Sequence, residues 1–167
     1  MKSILRTTAA GLAIASLGIA SAASAATDTA TAEAEIIAAL DVTLDTTRNT
    51  LDFGTIAESG AGGTLMLTPA GAATCGSGLV CAGTTETPNF DIDGEAAAAV
   101  NISLTSNNIT LTSGANSMGV ALTLSAATLV LSGTGTGTFD VGGTLTVGAN
   151  QAVGTYTGSL EVNVVYN

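Results

Sequence analysis

The last twelve residues, Tyr156 to Asn167, alternate apolar and polar side chains almost without fault, with Tyr156, Leu160, Val162, Val164 and Tyr166 on one parity. Successive side chains of a strand point to opposite sides, so this run makes one buried and one wetted face, the pattern of a half-buried antiparallel strand. A second run of the same kind lies near the other end. Ala30, Ala32, Ala34, Ile36, Ala38, Leu40, Val42 and Leu44 share one parity, while Thr31, Glu33, Glu35, Asp41, Thr43 and Asp45 hold the other. Two long amphipathic strands are therefore expected, the first over Ala32 to Leu44. Such end strands suit subunits that pair across molecules.

Residues 1–25 read as a secretory signal rather than as part of the fold. Met1 to Arg6 carries the positive start, Ala9 to Ala22 is a short apolar stretch of small residues, and Ala23-Ser24-Ala25 is an A-x-A cleavage site. The stretch is too short for a membrane anchor and has no stop-transfer flank. Removing it takes away Lys2 and Arg6 and leaves Arg48 against thirteen acids, a formal charge of −12. Nucleic acid and anionic membrane surfaces would repel such a chain. With no later apolar span long enough to cross a bilayer, the expectation is an exported product in the periplasm, at the cell surface or in an extracellular fibre, and not membrane-spanning.

What remains is one domain's length and enough to bury a core. Thr and Val favour strands, Gly divides them, and turn signals recur every eight to twelve residues or so. Strands are expected at Leu51–Ile56, Thr64–Thr68, Asn89–Asp93, Ala98–Thr105, Ile109–Thr112, Met118–Leu124, Thr128–Leu131 and Gly143–Val147. Gly133 to Gly137 reads as a flexible break, and Pro69 to Thr87 as a long glycine-rich loop and candidate contact site. With no helical periodicity, this spacing predicts an all-β protein of two packed antiparallel sheets. The organisation expected is a signal over 1–25, an N-terminal extension or donor strand over 26–37, and a single sandwich domain over 38–167.

Cys75 and Cys81 are the only cysteines, and an even pair in an exported chain reads as a disulfide. Closing so short a loop stabilises by roughly 2 kcal/mol in the chain-entropy model. The spacing is not C-x-x-C, and zinc would need more ligands.

Catalytic chemistry finds little support. The chain has no His, so neither a Ser-His-Asp nor a Cys-His arrangement can be built. Carboxylates abound, but glycoside sites usually carry aromatic platforms and this chain has few aromatics. Asp91, Asp93 and Glu95, around Gly94, form the one candidate for calcium; the rest of a twelve-residue calcium loop is missing, and the plain reading is a solvated strand edge. No glycine-rich stretch here precedes a helix with the lysine of a phosphate loop. No cofactor is expected, and the chain reads as a non-enzyme.

An export signal, an amphipathic first strand, Leu51-Asp52-Phe53-Gly54, a mid-chain Phe90-x-Ile92-x-Gly94 and a closing Gly154-Thr-Tyr156-x-Gly158-x-Leu160-x-Val162-x-Val164-x-Tyr166 stand together. This combination resembles the exported bacterial proteins of the domain of unknown function 4402 family, and more distantly the spore coat protein U type subunits of archaic chaperone–usher pili. The pilin likeness implies an immunoglobulin-like sandwich one strand short, completed by the N-terminal strand of the next subunit. Carried onto this chain, the donor face is Ala32, Ala34, Ile36, Ala38 and Leu40, and the receiving sheet includes the Tyr156 to Tyr166 strand. A head-to-tail contact of this sort does not close and builds a fibre. The partners implied are identical or related subunits, with a periplasmic chaperone and an outer-membrane usher. One departure is the disulfide, since such pilins usually tie strands together while Cys75 and Cys81 are expected to pin a local loop. The alternative is a self-complete, monomeric exported sandwich that acts as a binding or envelope protein, its first strand folded back into its own domain.

Overall fold

A computed structural model describes residues 26–167, so the signal expected over 1–25 lies outside the described residues. The segment up to Glu35 and the body from Ile36 to Asn167 are separate units. Residues 26–35 hold no strand. Within this segment the Thr29 amide donates to the Asp28 carboxylate at 2.9 Å.

The body is all-β and antiparallel, with no helix among the described residues. Its strands are β1 (Asp41–Leu44), β2 (Thr55–Glu58), β3 (Gly63–Leu67), β4 (Ala73–Cys75), β5 (Leu79–Ala82), β6 (Asn89–Asp93), β7 (Ala99–Leu104), β8 (Asn108–Ser113), β9 (Asn116–Leu124), β10 (Thr128–Val130), β11 (Thr136–Val147) and β12 (Val162–Tyr166). Seven of them form the main sheet, β1, β6, β11, β3 and β4 in order, with β9 on β11 and β8 on β9. A second sheet runs β10-β7-β12, and β2 pairs only with β5 as a two-stranded ribbon.

The organising strand is β11. Its first half pairs with β6, where Phe139 sits opposite Phe90 and the rings stack at 5.1 Å. Such aromatic cross-strand pairs add to sheet stability beyond the area they bury. Its second half is flanked by β3 and β9, since Gly143 to Thr146 pair with both. Alternation does the rest: Phe139, Val141, Leu145 and Val147 are buried on one parity. Leu65 and Leu67 of β3, Ile92 of β6, Val120 and Leu122 of β9, and Val100 and Ile102 of β7 join them in one core between the sheets.

Three expectations need correction. The first strand is not continuous from Ala32; residues 32–40 are without strand structure and only Asp41–Leu44 pairs, with β6. Alternation describes faces, and a strand also needs a backbone partner. The stretch from Pro69 to Thr87 is not an irregular loop, because it contributes β4 to the main sheet and β5 to the ribbon. β11 begins at Thr136, inside the expected break at Gly133–Gly137 and seven residues ahead of the expected Gly143. Of its glycines, Gly142 is held by close approach: a β-carbon there would lie 2.4 Å from the Leu67 carbonyl oxygen and 2.5 Å from the Pro69 nitrogen.

Candidate interaction groove

The second layer does not cover the whole inner face of the main sheet. The β10-β7-β12 sheet ends at β12, whose outer edge has no strand partner among the described residues, and the β2–β5 ribbon stands apart from it. Between them the inner face is left open. Ile109 and Leu111 on β8 and Met118 on β9 have the parity of core residues, yet they are only half-buried.

A groove of about 630 Å3 occupies this gap. One wall is residues 51–58, the other residues 151–156, and the main sheet supplies Leu111, Met118, Leu145 and Val147. A second hollow of about 350 Å3 shares Leu51, Phe53 and Leu111 with the first and continues past Gly158, Ser159 and Leu160. The floor is thus aliphatic, and the charges sit on the wall. Asp52 accepts the Gly54 amide at 2.8 Å and Glu58 accepts the Gly60 amide, so both carboxylates are tied to local turns.

The C-terminal run that forms the far wall changes partner midway. Thr157 exchanges two backbone hydrogen bonds with Thr112 of β8, at 2.8 and 3.0 Å, and Val162 to Tyr166 then pair with β7. Of the expected receiving residues, Tyr156 and Leu160 line the groove, and Val162, Val164 and Tyr166 lie on β12. The Tyr156 hydroxyl donates to the Ala152 carbonyl and accepts from the Gln151 amide, both at 2.7 Å, which shapes the 151–156 wall.

The expected donor residues divide in two. Ala32 and Ala34 lie in the strandless segment, and Ile36 is 97% exposed. Ala38 is held at both backbone groups: its amide donates to the Glu95 carboxylate at 2.8 Å, and its carbonyl accepts from the Tyr166 hydroxyl at 2.9 Å. The same hydroxyl accepts the Glu95 amide at 2.7 Å. A β-carbon on Gly94 would fall 2.5 Å from that hydroxyl oxygen, so glycine there lets the clasp close. Leu40 then packs against the core. The chain is anchored to its own domain from Ala38 onward.

Asp91, Asp93 and Glu95, the expected calcium candidates, are not gathered together. Asp91 and Asp93 share one face of β6, while Glu95 beyond Gly94 is engaged with Ala38, and no group of three metal-ligating side chains is gathered among the described residues. Cys75 and Cys81 are joined as expected. The bridge does more than pin a loop, because Cys75 is on β4 of the main sheet and Cys81 on β5 of the ribbon.

Sequence reasoning missed the groove floor. Leu111 and Met118 carry the right parity in the sequence, but half-burial depends on the gap above them, which no local pattern records. It also missed the Ala38–Glu95–Tyr166 clasp, whose members are far apart in the chain.

The family described as a domain of unknown function, DUF4402, matches residues 42–166, and the chain belongs to that family. No curated protein and no solved structure matches the chain.

Proposed function

We propose that this protein is a non-enzymatic structural subunit of an exported, pilus-like fibre, whose groove accepts the N-terminal segment of another copy as an added strand. The observation that carries the reading is the opening in the second layer: a β12 edge with no strand partner among the described residues, and, along the 151–160 run that leads into β12, a groove floored by half-buried Leu111 and Met118. Strand addition matches it, because the edge offers backbone hydrogen bonds and the floor takes alternate apolar side chains. Residues 26–37 are the donor in this reading. Extended, they reach roughly 40 Å at about 3.3 Å per residue, which exceeds the length of β12. Ala32, Ala34 and Ile36 would face the floor, leaving Glu33 and Glu35 toward solvent. Ala38 and Leu40, already held at home, would mark where the donor leaves its own domain.

An immunoglobulin-like, pilin-like topology and export through the 1–25 signal belong to the same proposal, as do a periplasmic chaperone and an outer-membrane usher. The self-complete monomer is favoured by the pairing of β1 with β6 in the same chain and by the anchoring of Ala38 and Leu40 there. The two readings part over residues 26–37.

A denaturing gel run with and without boiling, beside negative-stain electron microscopy, tests the choice. A ladder that collapses on boiling, with thin fibres in the images, is the expected result. A single monomer band without fibres at high concentration would refute strand donation.

A further inference from the structure

We propose that the Cys75–Cys81 disulfide gates the groove, so that the oxidised chain accepts a strand and the reduced chain does not. This inference rests on the strand-acceptance reading above. Its basis is where the two sulfurs sit. Cys75 is opposite Leu65 in the main sheet, and Cys81 is opposite Ile56 in the ribbon. The bond is a covalent link between the main sheet and β5, the partner of the β2 strand that forms part of one groove wall.

The ribbon has few other ties. β2 and β5 pair only with each other, and the Asp52–Glu86 bridge extends that same pairing. The Gly76 amide reaches the Thr64 carbonyl at 2.9 Å at the turn between Cys75 and Leu79, on the main-sheet side of the bridge. Beyond this, Phe53 just ahead of β2 is buried in the core, and Leu51, Ile56, Leu79 and Cys81 pack on it as partly buried residues. The main sheet, by contrast, is closed by continuous pairing through β3, β11, β9 and β6 and does not need the sulfurs. Removing the bond therefore loosens the wall before it loosens the core. Short cooperative units with few hydrogen bonds to the rest of a fold open at lower free energy than its central strands.

Chemically the switch is a thiol–disulfide exchange. A dithiol gives two electrons and two protons to the S–S bond and closes to its own disulfide, leaving two cysteine thiols. Residues 55–58 then lose their fixed distance from Leu111 and Leu145, and the apolar slot no longer has two sides. Such a gate would confine strand acceptance to an oxidising compartment.

The test uses residues 26–167 with Ile36→Asp, which silences the chain's own donor, and a fluorescent peptide of residues 26–40 with the natural Ile36. Peptide binding is read by anisotropy before and after treatment with dithiothreitol, and hydrogen exchange is followed over the ribbon and over β7 and β11. The expected result is at least tenfold weaker binding on reduction, faster exchange in 52–58 and 79–86, and unchanged protection in β7 and β11. The double variant Cys75→Ser/Cys81→Ser should behave as the reduced chain. Equal binding by the oxidised and reduced proteins would overturn the gate and leave strand acceptance standing. Loss of protection in β11 on reduction would also overturn it, by assigning the disulfide to folding of the whole domain. No binding by the oxidised protein would refute strand acceptance itself.

Discussion

Replacing Ile36 with alanine separates a donor side chain from a core one. In this structure Ile36 is 97% exposed, so truncating it removes almost no buried surface from its own domain. Exposed substitutions away from special features usually stay within about 0.5 kcal/mol. Seated in the groove of another copy, the same side chain would be buried, which stabilises a contact by about 1.5–3 kcal/mol for an aliphatic residue of this size. At about 1.4 kcal/mol per factor of ten, each subunit contact should weaken about ten- to a hundredfold. Urea unfolding of dilute monomer, together with the concentration at which assembly begins by light scattering, reads both sides. The reasoning predicts an unchanged urea midpoint and a raised assembly threshold. A fall in monomer stability of more than about 1 kcal/mol, on the scale of burying such a side chain, would mean that Ile36 is covered by its own domain. An unchanged threshold would mean that it is not the anchor.

Gly142→Ala should destabilise the monomer by about 1–3 kcal/mol, the range for overpacking, because the new methyl meets the Leu67 carbonyl and the Pro69 nitrogen, both backbone atoms. Gly119→Ala on the neighbouring strand, with nothing within 4 Å of its position, is the control and should cost far less in the same thermal melts. Tyr166→Phe removes the hydroxyl that serves both Ala38 and Glu95; a loss of about 1–2 kcal/mol is expected in urea unfolding, with faster amide exchange at Ala38. Asp45 accepts from the Thr47 hydroxyl and from the Arg48 and Thr47 amides, and these bonds, helped by the Arg48 charge, lower its pKa to about 2. A depressed carboxylate contributes stability that is complete above its ordinary value of 3.8 and is lost as pH falls through about 2. Asp45→Ala should thus flatten the pH dependence of unfolding over that window, and carboxyl NMR titration should find the wild-type midpoint near 2.

What was legible in the sequence were faces rather than partners. Val162, Val164 and Tyr166 announced a half-buried strand and form β12, and the Asn89–Asp93 and Ala98–Thr105 runs became β6 and β7. The Cys75–Cys81 pairing followed from there being only two cysteines, but its span from one sheet to another did not, since Pro69 to Thr87 looked like loop. The central strand was half missed because Gly133 to Gly137 read as a break and the strand was expected to begin only at Gly143; at Gly142 it is the close passage of the 67–69 backbone, invisible in a linear pattern, that excludes a side chain. The alternation before Asp41 was real, yet its residues have no strand partner in this structure. The groove was least legible of all, because its walls, 51–58 and 151–156, are about a hundred residues apart in the chain.

The central claim is that residues before Ala38 pair in the groove of another copy. Two differently tagged versions of residues 26–167 test it directly, one with Ile36→Cys and the other with Met118→Cys, mixed and joined with a short bismaleimide. Strand donation predicts a cross-linked dimer that carries both tags, at a yield that falls when unlabelled wild-type protein is added. A double variant that cross-links only within single chains, with no dimer in the mixture, would contradict it.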